Sequence, residues 1–160
     1  CLVAPSAVAE KIKTYRPVTE QTGFVLGTPG GWNLSYSRYF NEYLGCRITA
    51  GVLPGLTTIF GPPALVFGVG AQGNVVIKLA ENNSSLTNFS IAAGISRFKV
   101  NYPPGQGGTE SHRWDYLAVC LDQSWRKLFI EVGISVGTGT VESPQLLAQI
   151  GLMFWREKIR

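Results

Sequence analysis

Long apolar runs are missing from this chain. No stretch of 18 apolar residues occurs in its 160 residues, so nothing in it reads as a transmembrane helix. Histidine is nearly missing too: His112 is the one histidine, which excludes a metal centre built from several imidazoles. The three cysteines, Cys1, Cys46 and Cys120, do not have the spacing of metal ligands. No Gly-x-Gly-x-x-Gly turn follows a strand, and there is no P-loop. Charge is scarce in the middle. Of 14 Lys and Arg and 10 Asp and Glu, five lie in residues 1–20 (Glu10, Lys11, Lys13, Arg16, Glu20) and four in residues 156–160 (Arg156, Glu157, Lys158, Arg160). That leaves 15 for the 135 residues between, about half the usual charged fraction.

What the middle has instead is alternation. Leu128, Ile130, Val132, Ile134 and Val136 share one parity, against Phe129, Glu131, Gly133, Ser135 and Gly137. Successive side chains of a strand point to opposite faces, so this segment has an aliphatic wall and a small or polar wall. The same division recurs near 43–53, 88–98 and 146–155, and weaker strands fall near 22–28, 32–40 and 113–124. The run from Leu65 to Leu79 keeps one parity throughout. A hairpin at Gln72-Gly73 would break it and turn Lys78 to the apolar side, so one long strand is expected.

The connections between these strands switch between long and short. Residues 54–64 and 101–111 are rich in proline and glycine, whereas Phe40–Tyr43, Asn82–Ser85 and Gln123–Arg126 are tight. Eight strands with short turns at one end and longer loops at the other predict an all-β, eight-stranded antiparallel up-and-down transmembrane barrel with a packed lumen. Both termini then fall on the short-turn end. A soluble lipocalin-like carrier also alternates, but with charged residues outside. Here the second face carries Gly, Ser, Ala and Asn rather than Lys and Glu. The aliphatic face is therefore expected to meet lipid, and the small face to fill a narrow interior.

Four tryptophans stand near strand ends: Trp32 and Trp114 toward the long loops, Trp125 and Trp155 toward the short turns. Rings with an apolar body and a polar edge collect at membrane interfaces, which is the place expected for all four. On the small face, Arg47, Lys78, Asp122 and Glu131 each lie three to five residues from a short turn. Buried charges must pair, so these four are expected to form one lumenal network that plugs the barrel, with Gln149 beside it. Cys46 and Cys120 fall on opposite faces and cannot meet disulfide geometry.

Other chemistry is thinly represented. The net charge of +4 comes from scattered basic residues and does not mark a nucleic-acid surface. Glu110, Ser111, His112 and Asp115 are the residue types of a hydrolase triad, but neighbours on a strand point in opposite directions. No cofactor and no small-molecule substrate are expected.

Residues 22–155 resemble the small eight-stranded outer-membrane barrels of the OmpA/OmpX type. The resemblance rests on strand count, loop alternation and a last strand of alternating apolar residues ending in Phe154-Trp155. It implies a bacterial outer-membrane location with periplasmic termini. Some barrels of that architecture are lipid A deacylases or acyltransferases; the deacylases carry a His-x-Ser motif, whereas His112 is followed here by Arg113 and Trp114. The family usually stops at the terminal aromatic, and here Arg156 to Arg160 follow. Three segments are expected: a periplasmic tether over 1–21, the barrel over 22–155 and a short polar tail over 156–160. Cys1 reads as the lipid-modified start of a lipoprotein, although Ala7-Val8-Ala9 also fits the end of a signal peptide. The expected role is non-enzymatic: a structural or accessory subunit of an envelope assembly, in contact with outer-membrane lipid and other envelope proteins. The alternatives are a lipid-modifying hydrolase or acyltransferase, and a soluble lipocalin-like lipid carrier.

Overall fold

The computed structural model describes residues 17–57, 64–105 and 107–157. Eight strands follow in order: β1 (Val18–Gly27), β2 (Gly31–Tyr39), β3 (Leu44–Thr57), β4 (Leu65–Glu81), β5 (Ser85–Asn101), β6 (Thr109–Trp125), β7 (Leu128–Gly139) and β8 (Gln145–Glu157). Each pairs antiparallel with its sequence neighbour, and β1 pairs with β8 to close the ring. Closure leaves no sheet edge, so the backbone N–H and C=O groups of the wall pair with one another.

The alternation decides the two surfaces. Leu128, Val132, Ile134 and Val136 are 41 %, 49 %, 60 % and 59 % exposed, while Phe129, Glu131 and Ser135 between them are buried. Leu34, Ile48, Val75, Ile91, Leu117, Val119, Ile150 and Leu152 carry the exposed aliphatic belt around the ring. A soluble carrier would reverse this arrangement. That reading is corrected: the interior holds side chains, and the outside is apolar. The inside-out distribution makes the molecule a transmembrane β-barrel.

β4 runs unbroken through Gln72-Gly73, and Lys78 points inward. β1 starts at Val18, four residues earlier than the alternation suggests, so residues 18–21 belong to the wall rather than to a tether. β3 continues through Pro54 and Gly55, where the register against β4 shifts between Leu53 and Leu56. A proline lacks a ladder donor and is tolerated at such an irregularity. β4, β5 and β6 are 17 residues long and β2 is 9. The β3–β6 side of the wall therefore stands taller at the long-loop end.

The lumen is filled in layers. Val18, Tyr39, Val76 and Leu86 close the short-turn end with Trp155 against them. Val25, Phe129 and Met153 also pack on Trp155. Ala92, Trp114, Tyr116, Ala118, Cys120 and Leu147 fill the other half. Tyr116 lies across Gly94, where a Cβ would collide with the ring. At the long-loop mouth the β1–β2 turn folds inward: Ser96 Oγ donates to the Pro29 carbonyl at 2.9 Å, and Gly30 N–H donates to Asn33 Oδ1 at 3.0 Å.

Candidate functional site

Two groups of charges are built by the wall, one inside and one outside.

Inside, Arg47 of β3 reaches across the lumen to β6 and β7. Its guanidinium meets Asp122 at 2.7 Å and Glu131 at 2.6 Å, with all three side chains at most 1 % exposed. Nε donates to Ser37 Oγ at 3.0 Å, and the guanidinium lies 4.8 Å from the centre of the Phe129 ring. Asp122 and Glu131 are direct cross-strand partners, a repulsive placement that Arg47 between them offsets. Amides complete the solvation. Asn88 Nδ2 donates to Asp122 Oδ1 at 2.7 Å, and Gln72 and Gln149 donate to Glu131 Oε1 at 3.2 and 3.0 Å. Tyr116 O–H donates to Gln72 Oε1 at 2.8 Å, which ties the layer to the aromatic half of the lumen. Ionised carboxylates only accept, so each is supplied here by charged and amide donors.

Lys78 stands apart from this network. Its Nζ meets Glu81 Oε2 at 2.5 Å, donates to the Val18 carbonyl at 3.2 Å and lies 4.4 Å from the centre of the Tyr39 ring. The four-membered network is therefore corrected to a three-membered one, Arg47 with Asp122 and Glu131, plus a separate pair. The cause is a register shift between Lys78 and Ala80. In strict alternation residues i and i+3 face opposite ways. The bulge inserts one residue and turns Glu81 inward beside Lys78.

The aromatic expectation also changes. Trp32 and Trp125 are 45 % and 47 % exposed on the outer wall. Trp114 is 6 % exposed and stacks on Tyr116 with ring centroids 4.3 Å apart. Trp155 packs into the lumen on Met153 and Val18. Position along a strand sets depth, but parity sets the face. Trp114 shares parity with Tyr116 and Cys120, and Trp155 shares it with Met153. Phe40, Tyr43 and Phe154, 64 %, 69 % and 55 % exposed, hold the outer surface at the short-turn end instead.

Cys1 lies outside the described residues. Cys46 is half-buried in the wall, Cys120 is buried, and both are free thiols. Ser111 and His112 are consecutive in β6 and point to opposite faces; His112 stacks on Phe98 at 4.8 Å and meets Glu110 at 3.5 Å. Gly68 to Gly73 has the letters Gly-x-Gly-x-x-Gly, but the segment lies within β4 and opens no helix. Among the described residues no three His, Cys, Asp or Glu side chains are grouped to hold a metal ion.

The outer group was not anticipated. Arg97 of β5 and Arg113 of β6 are direct cross-strand partners, and Asp115 bridges them, meeting Arg97 at 2.6 Å and Arg113 at 2.5 Å. On β6 the charges stand above Leu117, the last exposed apolar side chain of that strand, while on β4 the exposed Val69 lies level with Arg97 and Phe67 one row beyond. Their signal was in the sequence: Arg97 continues the parity of Phe89, Ile91, Ala93 and Ile95.

Fold and charge placement together define a small, plugged transmembrane β-barrel. Among solved structures the chain is similar to Ail, the attachment invasion locus protein of Yersinia pestis. The match has 14 % identity and a TM-score of 0.44, and covers 88 % of this chain and 97 % of that one. A second match is Ail in complex with the heparin analogue sucrose octasulfate, at 15 % identity and a TM-score of 0.36, with the same coverage. No protein-family model matches the chain, and no curated protein does.

Proposed function

We propose that this chain is a non-enzymatic barrel of a bacterial outer membrane that anchors or accompanies a larger envelope assembly, with its termini on the periplasmic side. The observation that carries this reading is the interior. Arg47, Asp122 and Glu131 close on one another across the lumen, apolar layers lie on both sides of them, and the β1–β2 turn folds over the mouth. A lumen so filled leaves the outer surfaces for function: the lipid-facing belt and the tall β3–β6 side. Charge-poor walls and short turns support an asymmetric outer membrane as the home of such a fold.

The experiment is purification from native membranes in mild detergent, with co-eluting subunits identified. Wild type is compared with Cys1→Ser and with a deletion of residues 1–16, which spares β1. Loss of partners in either variant supports a tether. Unchanged partners in both would remove the tether and leave the barrel surface as the docking site. A chain that purifies alone under all conditions contradicts the assembly reading.

A further inference from the structure

The outer wall carries a feature that neither plugging nor anchoring uses. On the taller side, residues facing lipid are small: Ala71 and Gly73 of β4 and Ala93 of β5. A Cβ added at Gly73 would meet nothing within 4 Å. Larger side chains stand on either side, Ile48 of β3 and Leu117 of β6, 61 % and 60 % exposed, and Val136 of β7 beyond. The result is an open groove of about 830 Å³ in the outer wall. Asp115 lines it at its upper end.

Register places the charges directly above the groove. Gly73, Ala93 and Leu117 lie in one row across the strands, Ala71, Ile95 and Asp115 in the next, and Val69, Arg97 and Arg113 in the row above. Lys99, exposed on the same face, is one row higher. Outward rows are two residues apart, so the path from Arg97 down to Ile91 is about 20 Å. Three cations face one carboxylate, an excess of two positive charges at the edge of an apolar belt. Asp115 takes Nη2 of Arg97 and the Nε–Nη2 edge of Arg113, and Arg97 Nη1 donates to the Ser96 carbonyl at 2.8 Å, so both arginines are fixed in place and Arg113 presents the more open edge. Arg113 remains 65 % exposed and Arg97 39 % exposed.

We propose that this groove holds a phosphorylated lipid of the adjoining leaflet, with its phosphate on Arg97 and Arg113, Lys99 nearby, and one acyl chain along Ala71, Gly73 and Ala93. The chemistry is that of a fork-shaped donor pair for a phosphate beside a hydrocarbon trough. A guanidinium at the level of lipid headgroups meets an anion at little desolvation cost, and the trough removes acyl surface from disordered neighbours. The inference rests on the transmembrane reading of the belt.

The test uses the full chain folded in detergent micelles and native mass spectrometry. The probes are dioleoyl phosphatidic acid, the diacylglycerol with the same chains, and inorganic phosphate. Variants are R97Q/R113Q, G73L/A93L and, as a control at the opposite end of the outer wall, R38Q. Expected for wild type and R38Q is retention of phosphatidic acid at least tenfold above diacylglycerol, with inorganic phosphate not retained. R97Q/R113Q should abolish that preference. G73L/A93L, which fills the trough without touching the arginines, should lower phosphatidic acid retention at least tenfold. Equal retention of the two lipids by wild type, unchanged retention in both double variants, or retention of inorganic phosphate as strong as that of the lipid would each overturn the proposal. A heat-dependent gel shift confirms that each variant is folded. If the chain instead folds and stays soluble without detergent, the transmembrane reading falls, which is a different outcome from a micelle-bound chain that ignores the phosphate.

Discussion

Arg47 is shared between two carboxylates on facing strands, so its removal leaves both without their cation. Breaking a buried pair in this way costs about 3–5 kcal/mol. Arg47→Met is therefore expected to lower the unfolding free energy, read from urea titration of the folded barrel, by about 3–5 kcal/mol. Arg47→Met combined with Asp122→Asn and Glu131→Gln should recover most of the loss, because no charge is then stranded. A single substitution that costs less than about 1 kcal/mol would show that Asp122 and Glu131 have another counter-charge. The second pair gives an independent check. Lys78→Met and Arg47→Met should add to within about 0.5 kcal/mol, since Lys78 bonds Glu81 and Val18 rather than the Arg47 carboxylates. A coupling energy above about 1 kcal/mol would restore the single four-membered network. At this scale parity alone places Arg47, Asp122 and Glu131 on the inner face. It does not find Glu81, because the bulge after Lys78 leaves no mark in the letters: Leu79 and Ala80 read as an ordinary continuation. Nor does it separate Trp114 and Trp155 from Trp32 and Trp125 when distance from the strand end is used in place of face.

Strands and turns were legible to differing degrees. Interiors such as Leu128–Val136 and Leu65–Leu79 follow from period-2 alternation, which burial on one side enforces. Ends do not. β1 begins at Val18 and β3 passes through Pro54, since pairing with a neighbour carries a strand through residues with weak local preference. The contact between β5 and β6 supplies a test at this level. Tyr116 occupies the space above Gly94 and holds Gln72, which in turn donates to Glu131. Gly94→Ala forces that ring aside and is expected to cost about 1–3 kcal/mol, the usual range for overpacking. In Tyr116→Ala the same Gly94→Ala should cost much less, because the obstructing ring is gone. Equal costs in the two backgrounds, read from unfolding in urea, would show that the ring does not rest on Gly94.

Across the whole molecule the inside-out distribution is the feature that the alternation anticipates best, and it decides between lipid and water outside. The outer Arg97–Asp115–Arg113 group was the part left unread, because charges on a lipid-facing parity look like an error of register until the height of the belt is known. Ile134 lies well inside that belt, so Ile134→Arg is expected to destabilise the barrel in lipid by about 2–4 kcal/mol, the cost of a basic side chain near the bilayer midplane. The same change at Thr138, two rows nearer the long-loop end, should cost about 0–1 kcal/mol. Equal effects, read from folding yield into vesicles of defined thickness, would place the belt elsewhere. The most direct measurement is a nitroxide scan along β7. Cys1, Cys46 and Cys120 are replaced by Ala, and each residue from 128 to 137 is labelled in turn in lipid vesicles. Collision rates are then compared for oxygen, which partitions into lipid, and for a water-soluble nickel complex. A period of two is expected, with oxygen collisions high at 128, 130, 132, 134 and 136, low at the residues between, and the nickel complex excluded from both sets at mid-strand. Oxygen maxima at 129, 131, 133, 135 and 137, or free access of the nickel complex to 132 and 134, would contradict a lipid-facing aliphatic belt around a plugged lumen.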